Sequence, residues 1–228
     1  MKKQLAVFAT MALAGGLSAM ASQVMLGNGV GGNVDPLRGG GIFNATFQNP
    51  VLPATKTYCL ERSERLAFGY WYDYSINNAA VGGGGDDDAS TPGYDIVSKG
   101  TAYIFKTYGQ AANSEVTANA VQWAIWYLED EFEYGGTLTA AFLDGLTGNL
   151  YSQYLAAGMA NGGKANIDAN SGVQVLNLYV TSLGADGLPN SLGLNRQDVL
   201  IGVPDGGTTL LLLGAGLTVV GIARRRLA

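Results

Sequence analysis

An uncharged apolar run lies near each end of the chain, and the two runs confine the folded part to what stands between them. Lys2 and Lys3 precede Leu5 to Leu17, a stretch without a charge, and Ala19-Met20-Ala21 then supplies a small-x-small pattern. A basic start, an apolar middle and a small-residue site are the parts of a secretory signal peptide, with cleavage expected after residue 21. At the other end, Val203-Pro204-Asp205-Gly206-Gly207 leads into an uncharged run from Thr208 to Ala223, closed by Arg224-Arg225-Arg226. That run spans about 24 Å as a helix, short of the roughly 30 Å hydrocarbon core of a bilayer. An Arg cluster on the cytoplasmic side would stop transfer and hold such a tail in the inner membrane.

The order of these three parts, a Val-Pro-Asp-Gly-Gly motif, a short apolar helix and a terminal Arg cluster, resembles a PEP-CTERM-type sorting signal in its VPD-type form. The resemblance implies an exosortase as processing partner, a transient inner-membrane stage and residence at the cell envelope, the surface or an extracellular matrix. An uncleaved C-terminal anchor is the alternative.

Composition narrows the chemistry of the middle. The 228 residues include no His and one Cys. This excludes a Ser-His-Asp triad, a Cys-His dyad, His-ligated zinc, an intramolecular disulfide and a CxxC pair. Trimming residues 1–21 and 204–228 leaves 8 basic against 17 acidic side chains, a net charge of −9. An acidic domain repels phosphate backbones, so no nucleic-acid partner is expected. No cofactor and no metal are expected either. Asp86-Asp87-Asp88 lacks the one-three-five spacing and the distal Glu of a calcium loop and reads as solvated.

Residues 22–41 are rich in Gly and Asn and read as a flexible lead-in, with a first strand at Phe43 to Phe47. Lys56 to Glu61 reads as a second strand and carries Cys59. Phe68, Tyr70, Tyr72, Tyr74 and Ile76 alternate with smaller or polar residues, a period of two that predicts a strand with one aromatic, core-packed face. Thr101 to Ala112 reads as a helix. Ser114 caps the next one, whose stripe of Val116, Ala120, Val121, Ala124, Ile125, Leu128 and Phe132 runs to a stop at Gly135-Gly136. Glu129, Asp130, Glu131 and Glu133 read as its solvated acidic end. A short helix at Leu150 to Ala157 and strands at Val173 to Val180 and Gln197 to Val203 complete one α+β domain. The organisation is a signal peptide at 1–21, a lead-in with the first strand at 22–55, a globular domain at 56–203 and a sorting segment at 204–228.

A lone Cys in an exported chain is a buried small hydrophobe, an intermolecular disulfide partner, or half of an internal thioester with a Gln side chain. A thioester stores an electrophile and survives only where water is excluded and donors await the developing charge. Three motifs bear on the choice. Tyr58-Cys59-Leu60 resembles the aromatic-Cys-apolar motif of bacterial thioester domains of surface adhesins. Val121-Gln122-Trp123-Ala124-Ile125-Trp126 is similar to that family's Thr-Gln-x-Ala-apolar-Trp motif, with Val121 in place of Thr. Gln197-Asp198-Val199-Leu200 is similar to its later Gln-polar-apolar-apolar motif, with Arg196 where an apolar residue is usual. The resemblance implies a β-sandwich- or barrel-like thioester domain with a helical insertion. It makes Cys59 the sulfur, Gln197 the acyl partner, Gln122 a supporting residue and Trp126 the packing beside it. Gln122 is the alternative acyl partner and Gln174 a remote third.

The expected function is therefore that of a sorted surface or matrix protein, not an enzyme, that attaches covalently to a surface amine or hydroxyl. The alternative is a non-reactive matrix protein or carbohydrate binder on the same scaffold, with Tyr70, Trp71, Tyr72 and Tyr74 as stacking candidates. Carboxylate pairs such as Glu61/Glu64 or Glu129/Glu133 are the weakest functional candidates, because nothing in the sequence fixes their separation.

Overall fold

Residues 43–48 read Phe-Asn-Ala-Thr-Phe-Gln, apolar at every second position, and form a strand in which buried and exposed side chains alternate without exception. That is the pattern of a sheet with one face on a core. A computed structural model describes residues 23–30, 40–48, 55–62, 68–81, 94–168, 171–179 and 195–203. The signal peptide expected at 1–21, the Asp86–Asp88 loop and the tail from Pro204 onward lie outside these described residues.

Six strands make one sheet in the order β3-β2-β1-β4-β7-β8. They are β1 (Gln23–Asn28), β2 (Phe43–Gln48), β3 (Thr55–Thr57), β4 (Trp71–Asn77), β7 (Val173–Tyr179) and β8 (Asn195–Gly202), and every pairing is antiparallel. A two-stranded ribbon, β5 (Ala79–Val81) with β6 (Tyr94–Ile96), stands apart. Between β6 and β7 come α1 (Lys99–Ile104), a π-helical turn (Phe105–Gly109), α2 (Glu115–Leu128), α3 (Ala140–Thr147) and α4 (Leu150–Ala160). The chain is thus a curled antiparallel sheet with a helical insertion.

The sheet curls until its ends meet. Beyond β3 the chain runs on to Cys59, which bridges Val199 of β8 in antiparallel register. The Leu60 amide donates to the Asp198 carbonyl at 2.8 Å and the Leu200 amide to the Tyr58 carbonyl at 3.0 Å. Backbone groups that an open edge would leave unpaired are satisfied there.

Both sides of this seam are apolar. Val24, Leu26, Ala45, Phe47, Tyr72, Leu176, Leu178, Val199 and Ile201 form one buried cluster. Val173, Val175 and Leu200 join a second, larger one with the helices. Strand β7 belongs to both, which explains why Val-Gln-Val-Leu-Asn-Leu-Tyr reads as a nearly continuous apolar run. Its one buried polar side chain, Asn177, donates to the Asn77 side chain and the Ala79 carbonyl.

Helix α2 begins where the sequence predicts. The Ser114 side chain accepts from the Thr117 amide, and the Thr117 side chain reaches back to the cap. Ala118 and every residue from Ala120 to Trp126 are buried. The helix is enclosed almost all round, and Ala118, Ala120 and Ala124 let its neighbours approach.

Several expectations need correction. Where residues 22–41 read as a flexible lead-in, Gln23–Asn28 is an internal strand between β2 and β4. Of the expected aromatic face only Tyr72 is fully buried, while Phe68, Tyr70 and Ile76 are exposed. Phe68 and Tyr70 precede the strand, so the alternation there is not a strand period. Val116 is exposed as well. Helix α2 stops at Leu128, seven residues before Gly135, because Glu129 leaves helical geometry and Asp130 turns left-handed at φ 56°. The helix α3 and the β5–β6 ribbon have no counterpart in the sequence reading.

Glu129 itself is not solvated. It is 4% exposed and accepts from the Ser98 amide at 3.1 Å and the Ser98 hydroxyl at 2.7 Å. Ser98 in turn caps α1 through the Thr101 amide, so one carboxylate ties the end of α2 to the start of α1. Burial raises its pKa, the Ser98 hydrogen bonds oppose the shift, and Glu131 nearby adds to it. With the native pKa above the unfolded one, the unfolded chain loses this proton first and native stability falls as pH rises between the two values. Glu129→Gln keeps an acceptor for Ser98 and removes the titration. Denaturant unfolding across mildly acidic to neutral pH is expected to show a flatter stability profile for this variant than for the parent chain.

Candidate functional site

Strand formers flank Cys59, and alternate residues around it are tied to the π-helical turn, the residues just after it, and β8. Lys56 donates its ammonium group to the carbonyls of Gln110 at 2.9 Å and Ala112 at 2.6 Å. Tyr58 is fully buried, packs edge-on to Phe105 and donates its hydroxyl to the Gly109 carbonyl at 3.2 Å. Burial pushes the Tyr58 phenol far above its ordinary pKa, so it stays a neutral donor. Leu60 completes the run with its bond to Asp198.

Cys59 sits at the centre of this segment, 4% exposed. Gln122, on the buried face of α2 and 63 residues away in sequence, reads its backbone on both sides. The Gln122 Oε1 accepts from the Cys59 amide at 3.1 Å, and its Nε2 donates to the Cys59 carbonyl at 2.8 Å. The same Oε1 accepts from the Gly41 amide at 3.2 Å. Two amides against one oxygen and a carbonyl against the NH2 fix which way the carboxamide points.

Trp126, one turn further along α2, is 1% exposed and stands edge-on to Trp123 at 5.2 Å between centroids. The backbone at Gly40 lies directly on Trp126 and the stem of Gln122. A Cβ there would come within 2.6 Å of Cη2 of Trp126 and 3.2 Å of Cγ of Gln122, at a φ of 113°. Only glycine fits. Residues 40–42 therefore cover Gln122 and Trp126 and seal the segment that carries Cys59.

The structure thus buries Cys59, Gln122 and Trp126 together. Gln197 lies in β8, two residues before Val199, the direct partner of Cys59. Its side chain falls outside the described residues. A register shift in β8 between its pairings with Leu176 and Leu178 falls at this point. Such a bulge re-aims side chains and is frequent beside functional sites. Next to Gln197, Asp198 is buried and accepts from the Val81 amide at 2.7 Å. Gln174 lies on β7 opposite Ile201. Val203 follows β8, its amide bonded to the Gly172 carbonyl at 3.1 Å, and is the last described residue before the tail.

The acidic candidates separate. Glu64 lies outside the described residues, and Glu133 is exposed while Glu129 is buried on Ser98. Glu61, Asp95 and Glu131 instead gather with carboxylate oxygens within 4.8 Å of one another. Glu131 also accepts from the Arg62 amide at 2.7 Å, and the Arg62 guanidinium lies 5.4 Å from the Trp123 ring centroid. Sequence reasoning misses this cluster because its members come from three separate segments. It misses Gly40 and Gly41 for a different reason, since a Gly-rich stretch looks like a linker until a ring is found against it.

Replacing Gln122 by Leu keeps the volume and leaves two buried amides and a carbonyl without their partner. Each orphaned group costs about 1–3 kcal/mol. Gly40→Ala meets both a clash and a strained backbone, at about 1–3 kcal/mol. Chemical unfolding is expected to show both variants destabilised, with Gln122→Leu the more affected.

Comparison with known proteins bears on the C-terminus. Residues 202–227 match the VPDSG-CTERM motif. No curated protein and no solved structure matches the chain significantly. Among the described residues no helix is long and apolar enough to cross a membrane, and the Thr208–Ala223 run lies outside them. The chain carries an exosortase-type C-terminal sorting signal, which marks an exported protein of the cell envelope or surface.

Proposed function

We propose that this sorted surface protein attaches covalently to its target through a thioester between Cys59 and Gln197. The observation that carries the reading is the engagement of Gln122. Its carboxamide is fully used in holding the Cys59 backbone, which suits a positioning residue and leaves Gln197, near Val199 on the strand opposite Cys59, as acyl donor. Burial of Cys59 and the cover of Trp126 and Gly40 favour a bond that must be kept from water.

In the forming step the Cys59 sulfur attacks the Gln197 side-chain carbonyl. An S–C bond forms, the C–N bond breaks, and the thiol proton leaves with the nitrogen as ammonia. In the capture step an amine on the target attacks the same carbonyl. An amide forms, the S–C bond breaks, and the amine's proton ends on the released thiol. Each molecule reacts once, so this is attachment and not turnover. Export by the N-terminal signal, passage through an exosortase and a transient inner-membrane stage belong to the same proposal. The target is a surface or matrix component with an accessible amine or hydroxyl.

A second reading rests on Phe68, Tyr70 and Trp71, which are 39%, 36% and 43% exposed. Surface aromatics of this kind stack on sugar rings, and a non-reactive matrix protein would use them without Cys59.

Intact-mass measurement separates the two. A thioester lowers the mass by about 17 Da relative to the sequence, and methylamine then adds about 31 Da with release of one thiol. Cys59→Ala is expected to abolish both changes, with a cooperative melt at lower stability, as removal of a cross-link between distant segments requires. A sequence-true mass with a titratable thiol from the start contradicts the thioester and favours the second reading.

A further inference from the structure

The outer face of the sheet lines up polar side chains from four strands. Val24, Leu26, Ala45, Phe47 and Tyr72 turn inward from β1, β2 and β4 to the buried cluster, and alternation turns the residues between them to the other side. There Gln48 stands opposite Gln23, Gln23 opposite Asp73, and Asp73 opposite Tyr179. Neighbouring strands lie about 4.8 Å apart, so this row across β2, β1, β4 and β7 is about 14 Å long.

The row is held in place by its own members. The Gln23 side-chain nitrogen donates to Asp73 Oδ1 at 3.0 Å, and the Tyr179 hydroxyl lies 3.1 Å from the Ser75 hydroxyl. The first bond leaves the second Asp73 oxygen and the Gln23 oxygen as acceptors and one Gln23 N–H as a donor. The next pair on the same face is Met25 opposite Trp71, with exposed Thr46 on the far side of Met25. Trp71 is 43% exposed. An indole thus stands beside the polar row, two residues from Asp73 along β4.

The composition of this face decides the ligand class. Strands β2, β1 and β4 each have a neighbour on both sides, so a ligand meets side chains and finds no strand edge to extend. Of the described residues Lys56, opposite Asn44, brings a cation to the margin, and its ammonium is held by the Gln110 and Ala112 carbonyls. With Asp73 in the row and a net charge of −9 on the domain, phosphates and acidic sugars are repelled. Carboxylate and carboxamide groups in register suit the hydroxyls of a sugar, and the indole suits the C–H face of its ring. We propose that the outer face of β2, β1, β4 and β7 binds an uncharged, extended polysaccharide, with one sugar ring on Trp71 and hydroxyls held by Asp73 and Gln23. The inference rests on the non-reactive reading through Trp71 and adds to it the polar row and the class of sugar.

Saturation-transfer NMR on the full-length chain in a zwitterionic detergent tests the site, with cellohexaose, hexagalacturonate and hexalysine as probes. Cellohexaose is expected to receive saturation on its ring protons, and hexagalacturonate much less. Trp71→Ala is expected to weaken cellohexaose binding about tenfold through the lost stack. Asp73→Asn keeps an acceptor for Gln23 and is expected to weaken binding about tenfold through lost charge-assisted hydrogen bonds, while narrowing the gap between the two oligosaccharides. A melting curve establishes that each variant is folded. Absence of cellohexaose binding overturns the proposal, and so does equal binding of hexagalacturonate. Displacement of cellohexaose by hexalysine at lower concentration also overturns it and marks a site for basic peptides. If Trp71→Ala loses binding and folded Asp73→Asn does not, the polar row falls while the stacking reading stands. If both variants bind as the parent does, both fall. The measurement runs equally on Cys59→Ala, so its result does not depend on a thioester.

Discussion

The Gln122 carboxamide is the contact on which the rest of the arrangement depends. It joins a helix, a strand segment and the loop before β2 through one side chain, since its oxygen serves the amides of Cys59 and Gly41 and its nitrogen serves the Cys59 carbonyl. In a buried site, each of these groups would be costly to leave unpaired. A single amide on a rigid helix therefore fixes where the edges of the curled sheet meet. The neighbouring bonds of Lys56, Tyr58 and Leu60 then follow at alternate positions along the same segment.

This dependence explains the character of α2. A helix that must bury Gln122, Trp123 and Trp126 together cannot be amphipathic in the ordinary way. It is buried almost all round, with Ala118, Ala120 and Ala124 among its buried positions. Its C-terminus is held by Glu129, a carboxylate taken out of water and compensated by Ser98 rather than by a cation. Polar groups with designated partners, not apolar area alone, fix the relative placement of helices and sheet.

What the sequence disclosed and what it hid follow from the same physics. Features written in local periodicity or local caps were legible: the alternation of β2, the Ser114 cap, the apolar run of β7 and the apolar tail with its Arg cluster. Features made by distant segments were not. Gln23–Asn28 has only two inward apolar residues, Val24 and Leu26, and sits beside glycines, so its place inside the sheet is set by partners on both sides. Glu129 looked solvated because four acidic residues crowd within five positions, while the group that buries one of them, Ser98, lies 31 residues earlier. Of the candidate site, Cys59, Gln122 and Trp126 are readable from motifs, whereas Gly40 and the pairing of Cys59 with Val199 emerge only when the chain is folded.

The protein combines a sorting signal at the C-terminus, which directs it to the envelope or surface, with a buried cysteine on the seam of a curled sheet. The central structural claim is that Gln122 locks the Cys59 segment into the fold. Native-state hydrogen exchange at the Cys59 amide addresses it most directly. If the lock is real, that amide exchanges only with global unfolding, alongside the amides of α2, and becomes markedly faster in Gln122→Leu. Exchange at a rate typical of surface loops in the parent chain, or an unchanged rate in the variant, would contradict it.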